Sequence, residues 1–194
     1  MLLDQKTYVV KERVALMKLT DTYDILDTAG QPIGIAKEEP PEWAKWLRLV
    51  VSKQLMPTVV NVYENEGGNA ILSISRGIQL LTAKVTVTLR GRDIGYFQSK
   101  MFSLGGAFRI FDAQNREVGL VQGDWKGWNF QMLSASSEQL GTVTKKWAGL
   151  GKELFTSADT YAISLSDAAA SRADVAPLLL AAGLAIDIVF KERK

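Results

Sequence analysis

The chain has 194 residues, and its 23 Lys and Arg against 21 Asp and Glu give a net charge of +2. Hydrophobic residues make up 47% of the chain, which excludes a largely disordered protein, and the small net charge gives no reason to expect nucleic-acid binding. The sequence contains no Cys and no His, which excludes disulfides, Ser-His-Asp and Cys-His catalysis, and the usual zinc, haem and iron–sulfur ligand sets.

At the amino terminus, Asp4, Gln5 and Lys6 interrupt what would be the apolar region of a secretory signal. A cytoplasmic location is therefore the simplest prediction. The first strand is predicted over 7–16, where apolar residues dominate.

Three segments repeat one hairpin pattern, in which an aromatic residue is followed eleven positions later by Gly. Each segment has a strand, a polar turn that begins with Asp or Ser, and a returning strand. The three segments are 23–34, 108–119 and 130–141, and two looser copies span 60–74 and 85–95. With single strands over 7–16 and 161–165, these hairpins predict about twelve strands.

The main insertion between hairpins, 40–51, predicts a short helix after its Pro-Pro start. Its large apolar residues fall on one side at helical spacing, namely Trp43, Trp46, Leu47 and Val50. The helix also carries Lys45 and Arg48. Trp and basic residues on an amphipathic helix are typical of a membrane interface, but the same apolar stripe could pack inward and plug one end of the fold.

The most apolar segment, 175–190, predicts a helix over about 174–190, with Asp174 as its cap and Pro177 in its first turn. A membrane-spanning helix needs about 20 predominantly apolar residues. This run has 16 residues and is interrupted by Asp187, so protein rather than lipid is the favoured surrounding. Asp187 is interpreted as a polar anchor satisfied by backbone or by a basic side chain.

Many hairpin-joined strands need their edges paired, and closing the sheet into a barrel achieves this. A barrel of this size needs its interior filled, while a helix that is apolar on all sides needs a surrounding. The sequence therefore predicts a mainly β (α+β) fold, in which a closed antiparallel barrel of about twelve strands surrounds the C-terminal helix. Residues 1–194 would form one domain.

Two C-terminal stretches, 141–165 with Lys146-Trp147 and 179–190 with Ile186-Asp187, resemble the signature of phospholipid scramblases. The front of the chain is similar to the same family over 8–14 and in Tyr23-Asp-Ile-Leu-Asp followed by Gly30. The resemblance covers nearly the whole chain. Scramblases, plant LURP-one-related proteins and tubby C-terminal domains are thought to share a twelve-stranded barrel around a hydrophobic helix, so the resemblance implies a tubby-like fold and a phospholipid-linked role.

The chain departs from scramblases in several ways, two of which concern acylation and calcium binding. Scramblases carry a cysteine cluster for acylation, whereas this chain has no Cys. Their proposed calcium segment begins with Asp, whereas here that position is Ser157, and only Asp159 and Asp167 remain as candidate ligands. Because Ca²⁺ prefers six to eight oxygen ligands, two carboxylates predict a weak calcium site, and no other cofactor is expected.

Two basic, Trp-bearing segments are the candidate lipid-binding residues: Trp43, Lys45, Trp46 and Arg48 in the first, and Lys145, Lys146 and Trp147 in the second. The lysines of the second segment could bind a lipid phosphate with Trp147 at the headgroup level. The alternative is a solvated strand end with a packed Trp. The aromatic residues of 124–128 are interpreted as covering a barrel end.

The sequence as a whole predicts a monomeric, membrane-associated barrel that binds phospholipid or phosphoinositide surfaces without calcium-triggered lipid translocation of its own. It would be cytoplasmic and peripheral at the inner membrane face. The alternatives are a true scramblase, which moves phospholipid between leaflets, and an interaction scaffold that binds a protein partner. Neither hydrolytic nor redox chemistry is expected.

Overall fold

The computed structural model describes residues 1–13, 20–47, 56–77, 82–100, 107–124, 126–145 and 160–187. The strands in these ranges are β1 (Thr7–Glu12), β2 (Thr22–Leu26), β3 (Pro32–Glu38), β4 (Thr58–Tyr63), β5 (Leu72–Arg76), β6 (Thr82–Leu89), β7 (Arg92–Lys100), β8 (Phe108–Asp112), β9 (Glu117–Asp124), β10 (Asn129–Ser134), β11 (Gln139–Thr144) and β12 (Thr160–Leu165). The helices are a 3-10 turn (Leu2–Asp4), α1 (Glu42–Leu47), α2 (Asp167–Ala170) and α3 (Ala176–Ala185).

The twelve strands form one closed antiparallel barrel. Each strand pairs with its neighbours in the chain, and β1 pairs with β12 to close the ring, with Thr7 opposite Ser164 and Val10 opposite Tyr161. Because every strand has a partner on both sides, the backbone edges that an open sheet would expose are all paired. The predicted closed barrel and its strand number are confirmed.

Turn chemistry explains the hairpin repeat. In the β2–β3 turn, the Asp27 carboxylate accepts hydrogen bonds from the backbone N–H groups of Ala29 (2.9 Å) and Gln31 (2.8 Å). Asp112 does the same in the β8–β9 turn, and the Ser134 hydroxyl accepts from the Glu138 N–H (3.0 Å) in the β10–β11 turn. The repeated Asp or Ser therefore fixes each turn through a local side-chain–backbone bond.

The same three turns share a second feature, which is a residue with positive φ three positions after the Asp or Ser. Gly30 (77°), Asn115 (63°) and Ser137 (64°) occupy this position. Gly adopts this conformation readily and Asn tolerates it, whereas for Ser137 the conformation is sterically unfavourable.

The barrel interior is filled by α3, since all ten of its residues are buried. The helix contacts β5, β6 and β7 on one arc of the ring and β11 and β12 on the opposite arc, so it lies inside the barrel. At Gly183 an added Cβ would come within 2.6 Å of the Ile163 side chain. Glycine therefore sets how closely the helix can approach β12.

The start of α3 differs from the prediction. Pro177 lies in the first turn as expected, but the N-cap residue is Val175, which makes no side-chain capping bond. Asp174 is not the cap, because its carboxylate instead accepts a hydrogen bond from Arg172 (3.1 Å). The helix ends at Ala185 and is followed by a π turn at 186–187, while the last predicted residues, 188–190, lie outside the described ranges.

The antiparallel order gives the barrel two chemically different ends. At the hairpin end lie the turns of the five hairpins and the start of α3, and at the linker end lie the connections between hairpins and the end of α3. Within the described ranges, the buried polar and charged residues all belong to the linker end, namely Glu38, Thr58, Arg76, Thr160 and Asp187. None of the helices in these ranges combines the length and hydropathy needed to cross a bilayer.

Replacing Leu184 with Asp should prevent folding, because Leu184 is fully buried in α3 and an uncompensated carboxylate there would lose its hydration. Leu184→Met is the matched control, since a hydrophobic exchange of similar volume costs less than about 1.5 kcal/mol. Circular dichroism and thermal melting would report both. An unchanged melting curve for Leu184→Asp would contradict a core built on this helix.

Candidate functional site

The linker end brings together elements that carry the predicted lipid-binding residues. Helix α1, with Trp43, Lys45 and Trp46, lies in the connection between β3 and β4, and Lys145 follows β11. Both positions fall at the linker end of the barrel. The side chains of Lys45 and Trp46 lie outside the described part of the structure, as do residues Arg48, Lys146 and Trp147.

Helix α1 packs through a small residue and exposes a large one. Ala44 is fully buried, and its N–H donates to the Pro41 carbonyl (2.9 Å) as the helix begins. Trp43, in contrast, is 52% exposed, and in the described ranges only Met1 is a comparably exposed large hydrophobic residue. Trp43 therefore does not plug the barrel, and its ring is available to a ligand or a membrane surface.

The connection that carries α1 is fixed to the barrel at its first residue. The Glu39 N–H donates to the Val59 carbonyl (2.7 Å), and the Glu39 carboxylate accepts hydrogen bonds from Asn61 and from the Tyr63 hydroxyl, both at 2.6 Å. Burial raises the pKa of Tyr63, and the hydrogen bond to Glu39 raises it further. These bonds between Glu39 and β4 hold the chain where it leaves the barrel towards Trp43.

Lys145 lies against the aromatic lining of the linker end. Its ammonium is 4.6 Å from the centre of the Trp128 ring, a distance at which a cation–π interaction is favourable. Trp128 is only 8% exposed and meets the rings of Phe130 (5.8 Å) and Tyr161 (6.2 Å) edge-on. Trp128 thus covers this barrel end, as predicted for 124–128, while Trp125 lies outside the described residues.

A buried acidic and aromatic cluster lies beneath this cover. Tyr23 and Tyr161 are both buried, and Asp187, which follows α3, is 3% exposed. Burial raises the pKa of each tyrosine hydroxyl, and the negative charge of Asp187 raises it further. The two tyrosines therefore stay neutral at physiological pH, and Asp187 lies where the barrel wall meets the end of the helix.

The two candidate calcium ligands do not form a described site. Asp167 lies at the hairpin end, at the first position of α2, and its carboxylate accepts a hydrogen bond from the Lys6 ammonium (2.8 Å). This interaction lowers the pKa of Asp167. Asp159 lies outside the described residues, and no group of three or more acidic residues suited to a metal ion occurs within them.

A family model described as Scramblase matches residues 5–193, which is nearly the whole chain. This chain belongs to the scramblase family. The resemblance to scramblases seen in the sequence is therefore confirmed. The scramblase family is membrane-associated and is not a family of hydrolytic or redox enzymes. Comparisons with curated proteins and with solved structures gave no match.

The sequence did not reveal that Lys145 and Trp128 are partners in this scramblase-family barrel. Asn129 pairs with Thr144 across β10 and β11, so the next residues outward on each strand, Trp128 and Lys145, face each other. The hairpin repeat predicted both strands, and extending its register by one residue would have indicated this pair.

Replacing Lys6 with Met should raise the pKa of Asp167 towards its ordinary value, because the hydrogen bond and positive charge that lower it are lost. A lowered carboxyl pKa stabilises the fold at neutral pH, and this contribution is lost as the pH falls through the lowered pKa. The variant should therefore reduce the difference in stability between neutral and acidic pH.

Carboxyl-carbon NMR titration would measure the Asp167 pKa directly. Asp112 is an internal control, because hydrogen bonds within its own turn, first from the Arg116 N–H, lower its pKa independently of Lys6. Identical Asp167 titration curves in the two proteins would show that Lys6 does not act on this carboxylate.

Proposed function

We propose that this scramblase-family barrel binds anionic phospholipid or phosphoinositide surfaces through its linker end. The observation that carries the proposal is the exposure of Trp43 at the barrel end that also bears Lys145. Residues 1–194 would act as one monomeric domain, peripheral to the cytoplasmic face of the membrane.

The chemistry of the two segments supports this function. Trp is favoured at membrane interfaces, where its ring is partly buried and its N–H stays hydrated, and a basic residue near an anionic surface contributes about 1 kcal/mol. Lys45 and Arg48 follow Trp43 in the chain, and Lys146 and Trp147 follow Lys145. Each segment therefore combines a large aromatic residue with positive charge.

Binding without calcium-triggered translocation is the form of the proposal that the geometry favours. Asp167 is engaged by Lys6, and the protein has no Cys that could carry an acyl chain. All ten residues of α3 are enclosed by the barrel, so inserting this helix into a bilayer would require the barrel to open and lose its core.

Lipid translocation between leaflets is the second candidate, because membership of the scramblase family favours it. The two functions differ in what they require of α3. Surface binding leaves the barrel intact, whereas translocation by insertion of the helix requires the barrel to open.

Liposome flotation should show binding to vesicles containing phosphatidylserine or phosphoinositide, little binding to neutral vesicles, and weaker binding at higher salt. Trp43→Ala should weaken binding about three- to tenfold, since half-burying a large aromatic side chain is worth about 1 kcal/mol or somewhat more. Lys145→Gln should weaken it about fivefold, the equivalent of one interfacial charge.

Two controls make this experiment specific. Trp43→Phe keeps an aromatic ring and should retain most of the binding, and Lys6→Gln removes one charge at the hairpin end and should have little effect. Equal losses for Lys6→Gln and Lys145→Gln would contradict binding through the linker end. Absence of binding to every vesicle would favour an interaction scaffold instead.

The proposal also predicts that calcium leaves vesicle binding unchanged and that the bound protein does not speed the exchange of fluorescent lipid between leaflets. A chemical quencher added outside the vesicles would measure that exchange. Calcium-dependent exchange that Asp167→Asn abolishes would establish translocation and contradict the calcium-independent form of the proposal.

A further inference from the structure

The hairpin end carries a groove that the proposed lipid-binding function does not use. Its volume is about 650 Å³, within the range of about 300–1,000 Å³ that is usual for ligand sites. The start of β7, the β8–β9 and β10–β11 hairpins and the segment that leads into α3 line it. Every lining residue lies within the described ranges.

The groove has an apolar part formed by residues attached to the core. Ile94 and Val118 are partly buried and pack against the hydrophobic core, and Val175, directly before α3, is almost completely buried. An aliphatic stem that enters the groove would therefore meet the accessible parts of Ile94 and Val118.

The charged part of the groove is acidic, although the protein as a whole has a net charge of +2. Four carboxylates face two guanidinium groups, which gives a local net charge of −2; the lining residues concerned are Asp93, Asp112, Glu117, Asp174, Arg116 and Arg172. The lining therefore suits a cationic ligand.

Both arginines are already engaged. The Arg116 Nε lies 2.7 Å from the Asp112 carboxylate, and Arg172 lies 3.1 Å from Asp174. The backbone N–H of Arg116 lowers the pKa of Asp112, and the bond from Arg172 lowers that of Asp174, so both carboxylates are ionised at neutral pH.

The other two carboxylates, those of Asp93 and Glu117, account for the net negative charge of the groove. Asp93 has no ion-pair partner among the described residues, and Glu117 has only a long contact of 3.4 Å with Arg109, a side chain that is 64% exposed. The turn bonds made by Asp112 and Ser134 fix the walls of the groove, so a ligand would not have to order them.

We propose that this groove docks a short basic peptide segment of a partner protein. Lysine or arginine side chains would lay their aliphatic stems along Ile94 and Val118 and place their charges near Asp93 and Glu117. The groove lies at the end opposite Trp43 and Lys145, so the proposal goes beyond the proposed function and allows both ends to be occupied together.

A fluorescent, terminally blocked hexapeptide of alternating Lys and Leu is the probe, and a hexapeptide of alternating Glu and Leu is its matched control. Fluorescence anisotropy should show binding of the basic peptide, no binding of the acidic peptide, and weakening with salt. The double variant Asp93→Asn/Glu117→Gln should weaken binding about three- to tenfold, the expected effect of removing two partly solvated charges.

The double variant Asp4→Asn/Glu66→Gln makes the same change of charge outside the groove, and it should change the dissociation constant less than about twofold. Ala113→Lys adds bulk and a positive charge at an exposed turn residue of the groove and should also weaken binding. Circular dichroism would show that each variant is folded.

Backbone amide NMR shifts should be largest at Ile94, Val118 and Val175 when the basic peptide is added. Equal weakening by the two double variants would show nonspecific electrostatic attraction and overturn the proposal, as would equal binding of the acidic peptide or no binding at all. The measurements contain no lipid, so their failure would leave the vesicle result unaffected, and the reverse also holds.

Discussion

The burial of one wholly apolar helix is the constraint on which this structure depends. All ten residues of α3 are enclosed, and the residues that face them come from strands on opposite arcs of the ring. Neither element could form alone in water, since the helix would expose apolar surface on every side and the strands would enclose an empty interior. Their mutual burial also explains why small residues matter, because Gly183 lets the helix lie directly against Ile163 on β12.

The helix also makes the two ends of the barrel different from each other. Its start lies at the hairpin end, where short turns are held by their own Asp or Ser residues, and its end lies at the linker end among buried polar groups and aromatic rings. The acidic groove and the exposed Trp43 consequently lie at opposite ends of the molecule. A barrel of this kind can present one surface to a membrane and another to the solvent, and the contact with one need not block the other.

The fold was largely predictable because its signals are local. The Asp or Ser at the start of three turns and the alternation of each strand appear in the sequence, and a helix apolar on all sides had to be enclosed. The start of α3 was not predictable, because Asp174 had two possible partners and Arg172 proved to be the one it binds. Trp43 could have packed inward or outward, and only the structure, in which its side chain is exposed, decides between the two. The groove left no signal in the sequence, because its residues come from three hairpins and a helix start that only the closed ring brings together.

The pairing of β1 with β12 has a consequence for the synthesis of the protein. Thr7 meets Ser164, so the ring cannot close until β12 has left the ribosome, and α3, the helix that fills it, is made later still. Until then the growing chain carries two unpaired strand edges and a hollow apolar face, which are the features that promote aggregation. Contacts between residues so far apart in sequence also slow folding. The protein therefore passes through a vulnerable interval that ends only when α3 has been made and enclosed, and a chaperone would be most needed during this interval.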